Sequence, residues 1–205
     1  MKPKWWEKGK KYLIKRDKVM RRLFVAYKGH LTTRKNFFYS LCRSIISQQI
    51  SVSASDSVFS KFEKKCKGKI KPKIVSKLSI SDLRKCGLSR MKAKGIKSLA
   101  KRILDKSFKP KFIKKMSDEE AINYLSSLRQ IGRWSSEMVL IFFYNRPNIW
   151  PVQDIGLLRA ISNNYKKKYL PPNIFVKKLR KKFSPYCTLA VMALWYSVDN
   201  EPVQY

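Results

Sequence analysis

Apolar residues recur at helical spacing along most of the chain. Phe37, Phe38, Leu41, Ile45 and Ile46 share one helix face, and Val52, Val58, Phe59 and Phe62 mark a second helix. Leu99, Ile103 and Leu104 continue a third that starts near Met91. Ser117-Asp-Glu-Glu120 has the form of a capping box, which predicts a helix start there with Ile122, Leu125 and Leu128 turned inward. From about Trp134 to Tyr144 the sequence is apolar on most sides, so that helix should be central and buried, and Asn145-Arg-Pro147 should stop it. Further helices are predicted near 154–164, 174–182 and 186–197, with Pro171-Pro172 separating the first two. No run alternates like a sheet face, and the breaks are short. The pattern therefore predicts an all-α protein, one compact unit with no long linker and no internal repeat.

Composition adds a partner class. The 205 residues are 44% hydrophobic and 13% aromatic, enough for a substantial core. Lys and Arg number 47 against 13 Asp and Glu, a formal charge of +34, which fits a polyanionic partner and first of all nucleic acid. A lysine-rich compositional bias would give the same excess, so the charge permits this partner without proving it. The four cysteines, Cys42, Cys66, Cys86 and Cys187, form no CxxC pair, and His30 is the sole histidine. Buried thiols in a reducing compartment are expected in place of a zinc or iron–sulfur site. No apolar run approaches a membrane span and the first residues lack a signal-peptide core, so the expectation is a soluble cytoplasmic protein with no membrane partner.

Two segments carry candidate chemistry. Leu128-Arg-Gln-Ile-Gly-Arg-Trp-Ser-Ser136 reads as a hairpin opening a helix, whose exposed amides and dipole would bind a phosphate without reading sequence. Gly132 allows close backbone approach, and Arg133 and Ser135 could add side-chain contacts. Pro151-Val-Gln-Asp-Ile-Gly156 then places one carboxylate, Asp154, in an otherwise apolar segment. Taken alone, Asp154 reads as a helix N-cap, Trp134 as core packing, and Gln48-Gln49 as a helix end. Trp5-Trp6 reads as a patch that docks the N-terminus.

Four pieces in order change that balance: Ile45-Ile-Ser-Gln-Gln-Ile-Ser51, Cys86-Gly-Leu-Ser-Arg-Met-Lys-Ala93, Ile131-Gly-Arg-Trp-Ser135 and Pro151-Val-Gln-Asp-Ile-Gly-Leu157. Together they resemble the helix-hairpin-helix (HhH-GPD) DNA glycosylases, and most of all the bacterial DNA-3-methyladenine glycosylase II group. The likeness runs from Trp5-Trp6 and Lys15-Arg-Asp17 to the terminal Asn200-Glu-Pro-Val-Gln-Tyr205.

The resemblance implies a two-lobed all-α enzyme with a base pocket in the cleft between lobes. The N- and C-terminal segments would form one lobe, the helix-hairpin-helix would span about 118–144, and no N-terminal β-domain is expected. It implies that Asp154 is the catalytic carboxylate. Trp134, Met138 and Trp195 would line the base pocket. Gln49, with Gln48 alongside, would fill the gap left by a flipped nucleotide. Gln130, Ile131, Gly132, Arg133 and Ser135 would grip a DNA phosphate. The carbonyls of Ser126, Leu128 and Ile131 would hold a monovalent cation, Na+ or K+, against that phosphate when DNA is bound; no other cofactor is implied. Members that also cut the strand carry lysine where this chain has Trp134, so the implied enzyme is monofunctional. The chain departs from the family at Gln130, usually glycine, and at Cys187, often arginine. Ser135-Ser136 replaces the usual Thr-Ala pair.

The expected activity is excision of alkylated purines, 3-methyladenine and 7-methylguanine, from double-stranded DNA by a monomeric enzyme. A glycosylase for other damaged bases and a non-catalytic damage-binding protein are the alternatives.

Overall fold

Among the described residues, 2–32 and 36–199 of a computed structural model, the chain forms helices and turns only. The terminal segment from Asn200 lies outside the described residues. The helices predicted from periodicity are α3 (Phe37–Ser47), α4 (Val52–Lys65), α7 (Arg90–Leu104), α8 (Asp118–Ser126), α9 (Arg133–Phe142), α10 (Ile155–Tyr165), α11 (Asn173–Phe183) and α12 (Cys187–Asp199). Two N-terminal helices, α1 (Trp6–Arg16) and α2 (Lys18–Ala26), and the short α5 (Pro72–Val75) and α6 (Ile80–Lys85) join them, with a 3-10 turn at Pro110–Lys115.

Side-chain caps set most of the starts. Ser51, Ser79, Ser89 and Ser117 each accept a hydrogen bond from the amide three residues on, and Asp82 and Glu120 close capping boxes with Ser79 and Ser117. α9 stops at Phe142, two residues earlier than the apolar run suggests; Asn145 takes φ +50°, which ends helical continuation.

Contacts divide the described residues into two compact units, 36–139 and 2–32 with 140–199. The boundary falls inside α9, so no composition shift announces it. In the 36–139 unit, Leu41, Cys42, Ile45, Phe62, Leu83, Ile96 and Leu99 form a dry interior. In the other unit α12 is the hub. It is buried from Cys187 to Trp195 and packs against α1, α2, α10 and α11. Trp5 and Trp6 belong to this unit: Trp6 is buried, and the Trp5 indole donates to the Asn145 carbonyl at 2.9 Å. They do dock the N-terminal segment. All four cysteines are buried and free. Among the described residues, no helix is long and apolar enough to cross a membrane.

Candidate active site

The 36–139 unit holds the hairpin and the glutamine loop. α8 ends at Ser126, and the chain reverses through Ser127–Gly132 into α9. Gln130 takes φ +67°, the left-handed conformation that glycine adopts most readily. This accounts for glycine as the usual occupant there. Gln130 keeps the turn at some backbone cost and lays its side chain beside Gly95 of α7, whose missing Cβ makes the room. Gly132 is exposed and has open space on its Cβ side, so a ligand can approach the backbone there.

Several contacts brace this turn. The Arg102 guanidinium donates to the Ser127 carbonyl at 2.8 Å, and the Ser136 hydroxyl donates to the Gly132 carbonyl at 2.9 Å. The Arg133 guanidinium donates to both Glu119 oxygens, at 3.0 and 2.6 Å, and lies 3.3 Å from Glu137. Ser135 is buried, and its hydroxyl accepts from the Gln48 amide at 3.1 Å. The side chains of Arg133 and Ser135 are therefore committed within the protein. In this arrangement both side chains brace the turn.

Gln48 and Gln49 are separated by the same geometry. Gln48 turns inward, and its amide also donates to the Gln130 carbonyl at 2.8 Å. It joins the end of α3 to the hairpin as a strut. Gln49, at φ +58°, is exposed. The turn that presents it is held by Lys92, whose ammonium donates to the Ile46 and Gln48 carbonyls at 2.8 and 2.6 Å. Burial lowers the pKa of this lysine. Lys92 stands in one of the four motif pieces, but its task could not be read from spacing.

The Leu128 carbonyl accepts from the Ile131 amide at 3.1 Å and keeps a second lone pair. Neutral backbone oxygens at this helix end are a donor set that suits a hard cation. On α9, Trp134 is half-buried in the first turn, and Met138, one turn on, is buried on the same face.

The other unit holds the carboxylate. Asp154 is buried at 8% exposure and caps α10: its Oδ1 accepts from the Leu157 amide at 2.6 Å. The capping and catalytic readings are thus compatible. The same Oδ1 accepts from the Trp195 indole N–H at 2.8 Å. Trp195 is 2% exposed and lies parallel to Phe142, with ring centroids 6.1 Å apart. The indole of Trp195 is thus in direct contact with the acid. Val152 and Ile155, on either side of Asp154, are by contrast exposed apolar residues. Nothing in the sequence pattern marks them.

Residues 42–185 match the model of the HhH-GPD superfamily of base excision DNA repair proteins. An alkylbase DNA glycosidase-like protein of Schizosaccharomyces pombe is 32% identical over 162 residues, 77% of this chain and 76% of the relative. A DNA-3-methyladenine glycosylase from the same yeast is 28% identical over 165 residues, 79% of this chain and 72% of the relative. Among solved structures, S. pombe 3-methyladenine DNA glycosylase in complex with abasic DNA superposes with a TM-score of 0.83. It has 25% identity, over 97% of this chain and all of that one. The 3-methyladenine DNA glycosylase of Archaeoglobus fulgidus gives 0.77 at 26% identity, over 97% and 71% of the two chains. The chain belongs to the HhH-GPD superfamily of base excision DNA repair proteins.

Proposed function

We propose that this protein is a DNA glycosylase that flips alkylated purines out of double-stranded DNA and hydrolyses their N-glycosidic bond, leaving an abasic site. The observation that carries the reading is a buried, firmly held carboxylate, Asp154, in a chain that also has the superfamily's hairpin.

A base inside a duplex is out of reach, so the nucleotide must leave the stack at a cost of a few kcal/mol. The exposed Gln49, on a turn braced by Lys92, is placed to fill the gap. Backbone amides around Gly132 would take the DNA phosphate, with sequence-independent grip. The carbonyls of Ser126, Leu128 and Ile131 would hold a monovalent cation, which would add positive charge against that phosphate. Trp134 would present its ring to the flipped base, and a methylated, cationic purine is attracted to such a face.

Alkylation at a ring nitrogen makes the base a good leaving group. As the bond from sugar C1′ to the base nitrogen breaks, the electron pair leaves with the base and positive charge grows on the deoxyribose. Asp154 stabilises that charge and orients the water whose oxygen bonds to C1′; the water's proton passes to the carboxylate or solvent. With Trp134 in place of an amine there is no Schiff base, and the enzyme is monofunctional.

The test is release of free base from methylated duplex DNA. We expect wild type to release 3-methyladenine and 7-methylguanine, and Asp154→Asn to lower the single-turnover rate by about 10²–10³ with DNA binding retained. Undiminished release by that variant would remove Asp154 from the mechanism. Borohydride trapping of a protein–DNA adduct would refute monofunctionality.

A further inference from the structure

We infer that Trp195 is a positioning residue: its indole N–H fixes the Asp154 carboxylate for reaction, and Gly156 is the clearance that lets it do so. The inference rests on the reading of Asp154 as the reacting carboxylate. Three observations carry it. The indole nitrogen donates to Oδ1 at 2.8 Å from α12, 41 residues away in sequence. The indole is almost wholly buried and backed by the parallel Phe142 ring, so its orientation is set by packing. A Cβ on Gly156 would lie 3.2 Å from Oδ1, 3.5 Å from the indole Cδ1 and 3.6 Å from Nε1. A side chain there would crowd Oδ1 while touching the indole at ordinary van der Waals distance.

The second donor matters because it restrains the carboxylate from a separate helix. The Leu157 amide and the indole N–H approach the same oxygen from two helices, α10 and α12. Two fixed donors together hold that oxygen in place. A carboxylate that must face a transient sugar cation gains from being oriented before the charge appears.

Two variants of the full chain test this. Trp195→Phe keeps a ring against Phe142 and removes the N–H. Gly156→Ala keeps both partners and crowds the carboxylate oxygen that joins them. We expect Trp195→Phe to slow single-turnover excision of 7-methylguanine about 10- to 100-fold, with Gly156→Ala intermediate. The enzyme concentration giving half-saturation should stay within about twofold of wild type, since the affected group acts in the reaction step. In proton NMR of the wild-type protein, the Trp195 indole N–H should be slow to exchange, and in Asp154→Ala it should shift and exchange faster.

Full activity of Trp195→Phe, where wild type and Asp154→Asn behave as expected, overturns the positioning role and leaves the glycosylase reading standing. So does a loss that appears as weaker half-saturation, which marks contact with the base. An indole resonance unmoved in Asp154→Ala also overturns it. A wild type that releases no base from methylated DNA overturns the functional reading, and the positioning role with it.

Discussion

Gln130 shows how much one backbone angle explains. A non-glycine residue at φ +67° costs about 1 kcal/mol relative to glycine. The Gln130 side chain fills the space over Gly95, while its backbone carbonyl takes the Gln48 amide as any residue there could. A methyl group at Gly95 would sit 2.8 Å from Gln130 Cγ and 3.3 Å from the Arg129 carbonyl oxygen. We expect Gly95→Ala to destabilise the protein by about 1–2 kcal/mol, overpacking outweighing the gain in helix propensity. Adding Gln130→Gly should restore most of that loss. Denaturant unfolding of the two single variants and the double variant checks it, and additive losses would refute the coupling. The unusual residue was visible in the sequence, but its accommodation was not, because Gly95 lies 35 positions away in the chain (130 − 95).

Among the elements, legibility follows periodicity. α3, α7 and α9–α12 were readable because their apolar residues cluster at helical spacing. α1 and α2 were not: Trp6, Leu13, Met20, Leu23 and Phe24 are buried but stand singly or in pairs among lysines and arginines. What secures these two helices is a polar joint. Asp17 is 5% exposed and caps α2 through the Met20 amide at 3.0 Å. It also accepts from the Tyr165 hydroxyl at 3.0 Å and the Lys182 ammonium at 2.6 Å, which ties α2 to α10 and α11. Burial alone would raise the pKa of this carboxyl, but Lys182 with the Met20 and Tyr165 donors outweighs it, and the value is lowered.

The unfolded chain thus binds the proton more readily than the folded one. The joint stabilises fully above the ordinary Asp value of about 4, and that contribution is lost as pH falls from there through the lowered folded value. We expect Asp17→Ala to cost about 2 kcal/mol at neutral pH, and Asp17→Asn to flatten the acid side of the stability–pH curve. Urea unfolding across that pH range is the measurement. An unchanged acid slope in Asp17→Asn would show that the joint does not titrate.

For the whole molecule, charge and chain path decide the behaviour. A net +34 means that DNA binding would release many condensed counterions. We expect the log of the DNA association constant to fall with the log of salt concentration at a slope of about −4 or steeper. The excision rate at saturating enzyme should change far less, because the proposed chemistry rests on Asp154 and not on the lysines. A shallow binding slope would mean that most of the positive charge never meets phosphate. The charge was plain in the sequence, as were the hairpin and the lone acid. The contact between Asp154 and Trp195 was not, because no local pattern encodes a hydrogen bond across 41 residues.

The chain path has one more effect, on the ribosome. The 36–139 unit is nearly continuous in sequence, whereas its companion joins residues 2–32 to 140–199. α1 and α2 are therefore synthesised before the 36–139 unit, and α12, against which they pack, is synthesised after it. The 36–139 unit can finish folding while Trp6, Leu13 and Met20 still await cover, so the nascent polypeptide carries an uncovered apolar segment that holdase chaperones are suited to shield.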